Sequence, residues 1–519
     1  MKNAKVIIMM IALIVALGGL LMGFDASVIS GAVKFIEVDF QLTKLELGWS
    51  VASLTLSSTA AMLFAGPISD KYGRRAVLRV AAVLYAISAI GSAFAPSFLL
   101  LVIARMIGGL GVGASLILAP MYIAEIAPPD MRGRLVSFNQ LNIVIGISLA
   151  FFTNYLILQW SKSDTAWALN MAFANNEWRW MLGIETLPAI IYFFGLFFVP
   201  RSPRWLLMKG KRKEAVQTLM RYTDQDRAAA EIDKMVLAMN MGEQKEGTVS
   251  DLWKPALRLV LVIGVVVAVL QQITGINSVF FYAPMIFEQS GIGTDASFVQ
   301  AILVGLVNIV FTILALVLID KLGRKPLLNF GMAGITICMG LLAYGFYTAS
   351  YELKADTITA LPENIDQKLL ANYVGQTYGS DLAFMAAMDE AIGPKLATLH
   401  KSELITASIS MNPTLILFAI LGFVASFAIS IGPVMWVLFS ELFPNAIRGI
   451  AISFVGLINS AVSFLVQLVF PWELDYLGSG TTFLLYGIFA LIGLVFIYKV
   501  VPETKGKSLE ELEEQLVKY

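Results

Sequence analysis

The chain of 519 residues carries 37 Lys and Arg against 37 Asp and Glu, and 58% of it is apolar while only 14% is charged. Soluble domains are usually near a quarter charged, so a soluble enzyme is excluded, and the balanced charge points to no nucleic-acid partner. The one cysteine, Cys338, and the one histidine, His400, exclude a disulfide framework and a histidine-based metal site.

Long uncharged runs recur from end to end, and about 20 apolar residues are what a bilayer requires of a spanning helix. Twelve are predicted, at about 6–33, 46–68, 76–96, 98–124, 134–159, 179–199, 256–288, 298–319, 327–348, 413–440, 449–472 and 481–501. The first follows Lys2 and Lys5 as a signal peptide would. Its length, to Val33, and the eleven runs behind it predict a retained helix. Basic residues set the orientation. With both termini in the cytoplasm, 28 Lys and Arg lie in or beside inner segments and 8 in or beside outer ones, with Arg105 inside a span.

Residues 1–200 and 255–501 therefore read as two six-helix halves. Residues 201–254, with Lys211-Arg212-Lys213, are predicted as short cytoplasmic helices between them. Residues 350–412 form an outer insert that reads as a tolerated surface loop, in which 369–378 and 382–392 can form short helices over the mouth. Residues 502–519 are predicted as a cytoplasmic amphipathic tail, with Ser508 capping an acidic first turn.

The halves repeat one another. Asp70-Lys71-Tyr72-Gly73-Arg74-Arg75 recurs as Asp320-Lys321-Leu322-Gly323-Arg324-Lys325, Glu125 and Arg132 recur as Glu441 and Arg448, and Val199-Pro200 recurs as Val501-Pro502. Glycine permits the short turn, and the acid–base pairs can bridge helix ends as a cytoplasmic latch. Such a six-plus-six all-α membrane protein holds its substrate at mid-depth between halves that rock around it.

Asp25 is the only charge between Lys5 and Lys34, and Arg105 lies at similar depth in the fourth span. A charge at the bilayer centre costs about 2.5–3.5 kcal/mol on insertion scales, which marks both residues as functional candidates. Arginine beside a carboxylate favours its charged form and burial the neutral one, so a conformation that separates the two lets Asp25 take a proton. The other reading is a permanent ion pair holding two helices together. Glu185 is a third intramembrane acid, either coupled to this pair or bonded locally at a helix end.

Amides form a second group: Gln271, Gln272 and Asn277 in the seventh span, with Gln140, Asn308 and Asn459 in three others. Each both donates and accepts hydrogen bonds without the desolvation cost of a charge, which suits a ligand with many hydroxyls. A lone membrane amide also serves as glue between helices. Gly275 can break the seventh helix, and Gly432-Pro433 can break the tenth and turn Trp436 toward a cavity.

The repeated Asp-x-x-Gly-Arg-Arg/Lys motif, Ser202-Pro203-Arg204-Trp205, Gln271-Gln272-x-x-Gly275-x-Asn277 and Pro502-Glu503-Thr504-Lys505-Gly506 resemble the sugar porter family of the major facilitator superfamily. The resemblance covers nearly the whole chain outside 350–412, and it is closest to bacterial pentose and hexose proton symporters. It implies that Asp25 carries the proton, that Arg105 modulates it and that Glu185 is coupled to both. It also implies that Gln140, Gln271, Gln272, Asn277, Asn308, Trp436 and Asn459 contact the sugar. Phe24, Phe281 and Tyr282 line the same region and act in occlusion. Asp70, Arg74, Arg75, Glu125, Arg132, Asp320, Arg324, Glu441 and Arg448 form the cytoplasmic gate. Three positions depart from the family: Arg201 stands where it has glutamate, Phe281 where close relatives carry tyrosine, and Ser460 where tryptophan is common.

The expected activity is import of a monosaccharide by proton symport with alternating access, in a bacterial inner membrane and as a monomer. The alternatives are an uncoupled facilitator and, more distantly, a drug or organic-ion exporter. Neither a cofactor nor covalent chemistry is called for.

Overall fold

The computed structural model describes residues 2–128, 131–221, 225–241, 248–358, 361, 365–444, 447–507 and 509–516. Among the described residues, twelve helices are long and apolar enough to cross a bilayer. Spans 1 to 6 are Lys5–Phe40, Lys44–Tyr72, Arg74–Ala93, Phe98–Ile126, Gly133–Ser161 and Glu177–Phe198. Spans 7 to 12 are Pro255–Glu288, Thr294–Leu322, Arg324–Tyr347, Pro413–Leu442, Arg448–Tyr476 and Ser479–Val500. Twelve spans put the two described chain ends on one side, here called the terminal face, and the insert between spans 9 and 10 on the far face.

The first helix runs past Val33, where its apolar pattern stops, to Phe40. At about 1.5 Å per residue it outreaches a hydrocarbon core of about 30 Å. Its extra turns carry Lys34, Glu37 and Asp39, which pair with Glu288, Lys44 and the Trp178 indole N–H respectively. Polar sequence continues the helix there because each charge finds a partner beyond the apolar zone. Span 2 begins on a reciprocal cap, in which the Thr43 hydroxyl accepts from the Glu46 N–H and the Glu46 carboxylate accepts from the Thr43 N–H at 2.8 Å.

Three spans are interrupted. Span 6 pauses between Glu177–Gly183 and Thr186–Phe198, at Ile184 and Glu185. Span 7 breaks at Gly275, whose φ of 90° is the left-handed conformation glycine tolerates. Span 10 breaks at Ser430 rather than at Gly432-Pro433. Pro433 falls in the first turn of the following helix, where its missing N–H leaves no intrahelical bond unmade.

Within the first half, span 1 packs on span 5, and span 4 on spans 2 and 3. Within the second, span 9 packs on spans 10 and 12, and span 7 on span 11. The halves meet where span 2 lies on span 11 and span 5 on span 8, two contacts that exchange under the internal repeat. Small residues permit this approach, since lipid supplies no hydrophobic drive between helices. A Cβ on Gly23 of span 1 would sit 1.9 Å from the Ile143 carbonyl oxygen of span 5.

The insert is a folded unit, which corrects its reading as a surface loop. Strand Ser350–Glu352 pairs antiparallel with Thr377–Tyr378 on one side and Ile409–Ser410 on the other. Tyr351, Leu370, Phe384, Met388 and Leu404 fill a core of its own. The second predicted helix is Asp381–Ile392. The first region splits into a turn of helix at Gln367–Leu370 and the strand at Thr377–Tyr378. At the other end the tail helix, Leu509–Leu516, packs on span 10 with Leu512 and Leu516 buried. Ser508, its expected cap, lies outside the described residues.

Replacing Gly23 by valine forces spans 1 and 5 apart at a backbone carbonyl that cannot yield. The expected cost exceeds about 3 kcal/mol, read as a lower melting temperature in detergent. A melting temperature equal to that of the unaltered protein contradicts the packing described.

Candidate functional site

Inside the first half the structure brings three predicted charges together. Asp25 and Arg105 are 1% and 2% exposed, and Arg105 Nη1 lies 3.3 Å from Asp25 Oδ1. Arg105 Nη2 also reaches the Asp25 carbonyl oxygen at 3.5 Å. Glu185 is buried at the break in span 6, and its Oε1, like Asp25 Oδ2, has no hydrogen-bond partner among the described residues. One guanidinium thus lies within electrostatic range of two buried carboxyl groups.

Inside the second half the amides form one network. Gln272 Nε2 donates to Gln271 Oε1 and to Asn459 Oδ1, both at 3.1 Å. Asn459 Nδ2 donates to Gln271 Oε1 and to the Ala268 carbonyl, both at 2.8 Å. Asn277 Nδ2 donates to Gln272 Oε1 and Ser463 Oγ, both at 2.6 Å. The helix breaks supply the geometry. Gly275 turns the chain so that Asn277 comes back over Gln272, and Gln271 Nε2 donates to the Gly432 carbonyl, in the first turn after the break at Ser430, at 3.2 Å. Trp436, one turn further toward the terminal face, is 45% exposed and edge-on to Phe439. The arrangement is an array of neutral donors and acceptors at mid-depth beside an accessible aromatic face.

Not every predicted residue joins it. Asn308 of span 8 is buried and accepts from Thr312 at 3.5 Å, apart from the network. Gln140 is exposed on the stripe of span 5 that continues through buried Val144 and Phe151. That stripe lies between the face meeting span 1 and the face meeting span 8, which places Gln140 between the halves toward the terminal face. Phe24, Phe281 and Tyr282 are buried in one apolar cluster shared by both halves. Tyr282 donates to the Gln467 carbonyl at 3.0 Å.

Sequence reasoning missed Ser463, Gln467 and Thr55. Ser463 bonds Asn277 and Gln467, and Gln467 Oε1 accepts from Thr55 of the first half at 2.9 Å. A signal existed, because Asn459, Ser463 and Gln467 recur every four residues and so share one helix face. It also missed the far-face closure. Lys34 reaches Glu288 at 3.2 Å and Thr294 at 3.0 Å, Lys162 reaches Asp295 at 2.6 Å, and Lys44 lies 3.9 Å from Asp475. Each of these joins the first half to the second.

On the terminal face the predicted gate residues pair differently from the expected bracket. Arg74 bonds Asp70 at 2.6 Å and Glu125 at 3.1 Å, while Arg324 bonds Glu441 at 2.7 Å and Asp320 at 3.2 Å. Arg448 does not close on Glu441, because Arg324 already occupies that carboxylate. Its Nε donates instead to the Phe443 carbonyl at 3.0 Å. Arg75 donates to the Val199 carbonyl at 2.9 Å, and the Arg132 side chain lies outside the described residues. Among the described residues these bonds stay within one half, tying helix ends inside each half.

The repeat is faithful except at Arg201. Ser202 donates to Glu125 as Thr504 donates to Glu441. In the second half the Glu503 carboxylate also accepts from the Arg324 and Lys325 N–H groups, both at 3.1 Å, and so caps span 9. Arg201 cannot cap the matching turn at Arg74 and turns outward to Glu214 at 3.3 Å.

The sequence pattern of the family described as "Sugar (and other) transporter" matches residues 11–361 and 379–516. The arabinose-proton symporter of Bacillus subtilis is 35% identical over 516 residues, covering 98% of this chain and 95% of that protein. The D-xylose-proton symporter of Escherichia coli is 34% identical, with 97% and 94% covered. A solved structure of the Escherichia coli xylose transporter, described as partially occluded inward open, superposes with a TM-score of 0.73 at 33% identity, covering 96% and 99%. The same symporter bound to 6-bromo-6-deoxy-D-glucose gives 0.68 at 33% identity, with 99% of both covered.

Arg201→Glu should restore the missing cap at the Arg74 turn. An anionic cap contributes about 0.5–2 kcal/mol, so a rise of a few degrees in melting temperature is expected. No rise, or a fall, contradicts the asymmetry drawn between the halves.

Proposed function

This chain belongs to the Sugar (and other) transporter family, and on that footing we propose that it imports a monosaccharide, pentose or hexose, together with a proton. Both termini then lie in the cytoplasm, as the excess of Lys and Arg on the terminal face supports. Ion pairs seal the outer side between halves while the inner latches stay within each half, so this conformation is read as inward-facing. One chain holds both the carboxyl cluster and the amide array, which supports a working monomer.

The observation that carries the coupling is the burial of Asp25 against Arg105 in a helix whose preceding residue, Phe24, lies on a different face. Phe24 belongs to the apolar cluster between the halves, while Asp25 points into the first half. Removing one partner of a buried pair costs about 3–5 kcal/mol because the other charge is left alone. Protonating Asp25 likewise releases Arg105, which then needs other acceptors, and a shift of span 1 carries Phe24 with it. The proton thereby reaches the wall of the sugar cavity through the backbone of one helix.

The sugar is held by Gln271, Gln272, Asn277 and Asn459, with Trp436 beneath the ring. The network holds these amides in place before the sugar arrives, which lowers the ordering cost of binding. Gln140 supplies a contact from the facing wall as the halves close, and Asn308 one from span 8 of the same half. Ser463 and Gln467 support Asn277, and the Thr55–Gln467 bond ties the array to the first half. The inner latches on Arg74 and Arg324 hold each bundle's helix ends together while the halves rock.

Sugar added to de-energised vesicles should draw protons inward and raise the external pH. Asp25→Asn should abolish accumulation against a gradient and keep sugar exchange. An unchanged external pH with the unaltered protein favours the uncoupled facilitator instead. Asn459→Ala leaves Gln271 Oε1 and Gln272 Nε2 short of partners, at about 1–3 kcal/mol. Sugar affinity should fall about ten- to hundredfold by binding titration, and an unchanged affinity removes the amide array from the site.

A further inference from the structure

The carboxyl cluster opens onto a chain of hydroxyls that the mechanism above does not use. A Cβ on Gly108 would lie 2.8 Å from Asp25 Oδ2 and 2.4 Å from Ser88 Oγ, so both oxygens line the same patch of span 4. One turn toward the terminal face, the Tyr85 ring packs on Gly111 of the same span at 3.4 Å. One further turn along, Ser115 and the Tyr192 hydroxyl both pack on Gly18 of span 1, with Tyr192 OH 2.7 Å from the Cβ position. Asp25 and Gly18 are seven residues apart in span 1, and Glu185 and Tyr192 are seven apart in span 6. Seven residues make two turns, about 10 Å, on one helix face. Glu185 thus stands level with Asp25, and Tyr192 lies below them both.

Tyr85 is the hub of this group. It lies within electrostatic range of Asp25, Glu185 and Tyr192 and beside the Ser115 hydroxyl. Tyr85, Ser115 and Tyr192 are all at most 1% exposed. Yet Asp25 Oδ2 and Glu185 Oε1 have no hydrogen-bond partner among the described residues, and the Tyr85 and Tyr192 hydroxyls have only the Ser115 hydroxyl beside them. Buried polar atoms are nearly always paired, and a cluster of this kind is satisfied by ordered water, each molecule making about three bonds. The charged and titratable groups facing it are Asp25 of span 1, Tyr85 of span 3, Arg105 of span 4, and Glu185 and Tyr192 of span 6.

We propose that Tyr85, with Ser115 and Tyr192, holds ordered water that relays a proton between Asp25 and Glu185 inside the first half, away from the sugar cavity. The two carboxyls share one guanidinium, so an electroneutral cluster holds one proton, and its position decides whether Arg105 is pinned to Asp25. In the transfer an O–H bond breaks at Asp25 and one forms at Glu185. Each intervening water and the Tyr85 hydroxyl gives up one proton and gains another, so no phenolate or free ion accumulates. The relay returns Asp25 to the ionised form that pairs with Arg105, and so resets the transporter.

This rests on the symport reading, and the test separates the two. Vesicles carrying the unaltered protein are first checked for sugar-driven alkalinisation, whose absence overturns symport itself. Tyr85→Phe removes only the hydroxyl. It should slow proton-driven uptake about tenfold, since positioned proton transfer commonly contributes that much or more. Sugar counterflow and the apparent KM should stay unchanged, and the solvent deuterium effect on uptake should rise. Uptake at the unaltered rate, with coupling intact in the unaltered protein, overturns the relay. If Tyr85→Phe loses counterflow as well, Ser115→Ala decides in the same assays: slowed uptake with normal counterflow upholds the relay, and normal uptake overturns it.

Discussion

An ionised carboxylate buried away from water is tolerated only if something nearby compensates it, and in this protein that something is Arg105. The pair at 3.3 Å fixes the relation between spans 1 and 4, and with it the position of Phe24 at the seam between the halves. Its low-dielectric setting makes the interaction strong when made and expensive when broken. A device that must switch needs that steepness. A surface ion pair of the same geometry, worth about 0–1 kcal/mol, could not bias two six-helix bodies.

The amide array follows the opposite logic. Its members are neutral, so they can be buried without compensation from charge, and they satisfy one another across the broken helices of spans 7 and 10. On the proposed reading, proton and sugar are handled by different chemistry in different halves. The bond from Thr55 to Gln467 and the apolar cluster around Phe24 and Tyr282 are what connect them.

Much of this was legible in the sequence because membrane insertion makes composition speak loudly. Twelve apolar runs, the lone acid between Lys5 and Lys34, and the Gln271-Gln272 doublet each stand out against lipid-compatible surroundings. The inner motifs repeated visibly, yet the partner of Glu441 could not be read from spacing, since Arg324 reaches it from a distant loop. The far-face pairs were hidden for the same reason, joining residues such as Lys34 and Glu288 that have no local pattern in common. The insert misled because its apolar residues are scattered through short elements, so that neither a helical nor a strand period emerges. Ser463 and Gln467 were within reach, but hydroxyls and amides spaced by four were outshone by the doublet.

One carboxylate on the far face has a divided allegiance. Asp475 lies 3.4 Å from Lys401, in the folded insert of its own half, and 3.9 Å from Lys44 of the other. The insert is also fastened to its half through Asp381 and Ser479. Parting the outer side strips Asp475 of only one of its two lysines, so the insert softens the electrostatic loss that opening incurs. Because these charges are partly solvated, dissolved ions weaken both contacts together. The saltiness of the surrounding medium thereby becomes a dial on how readily the outer door swings.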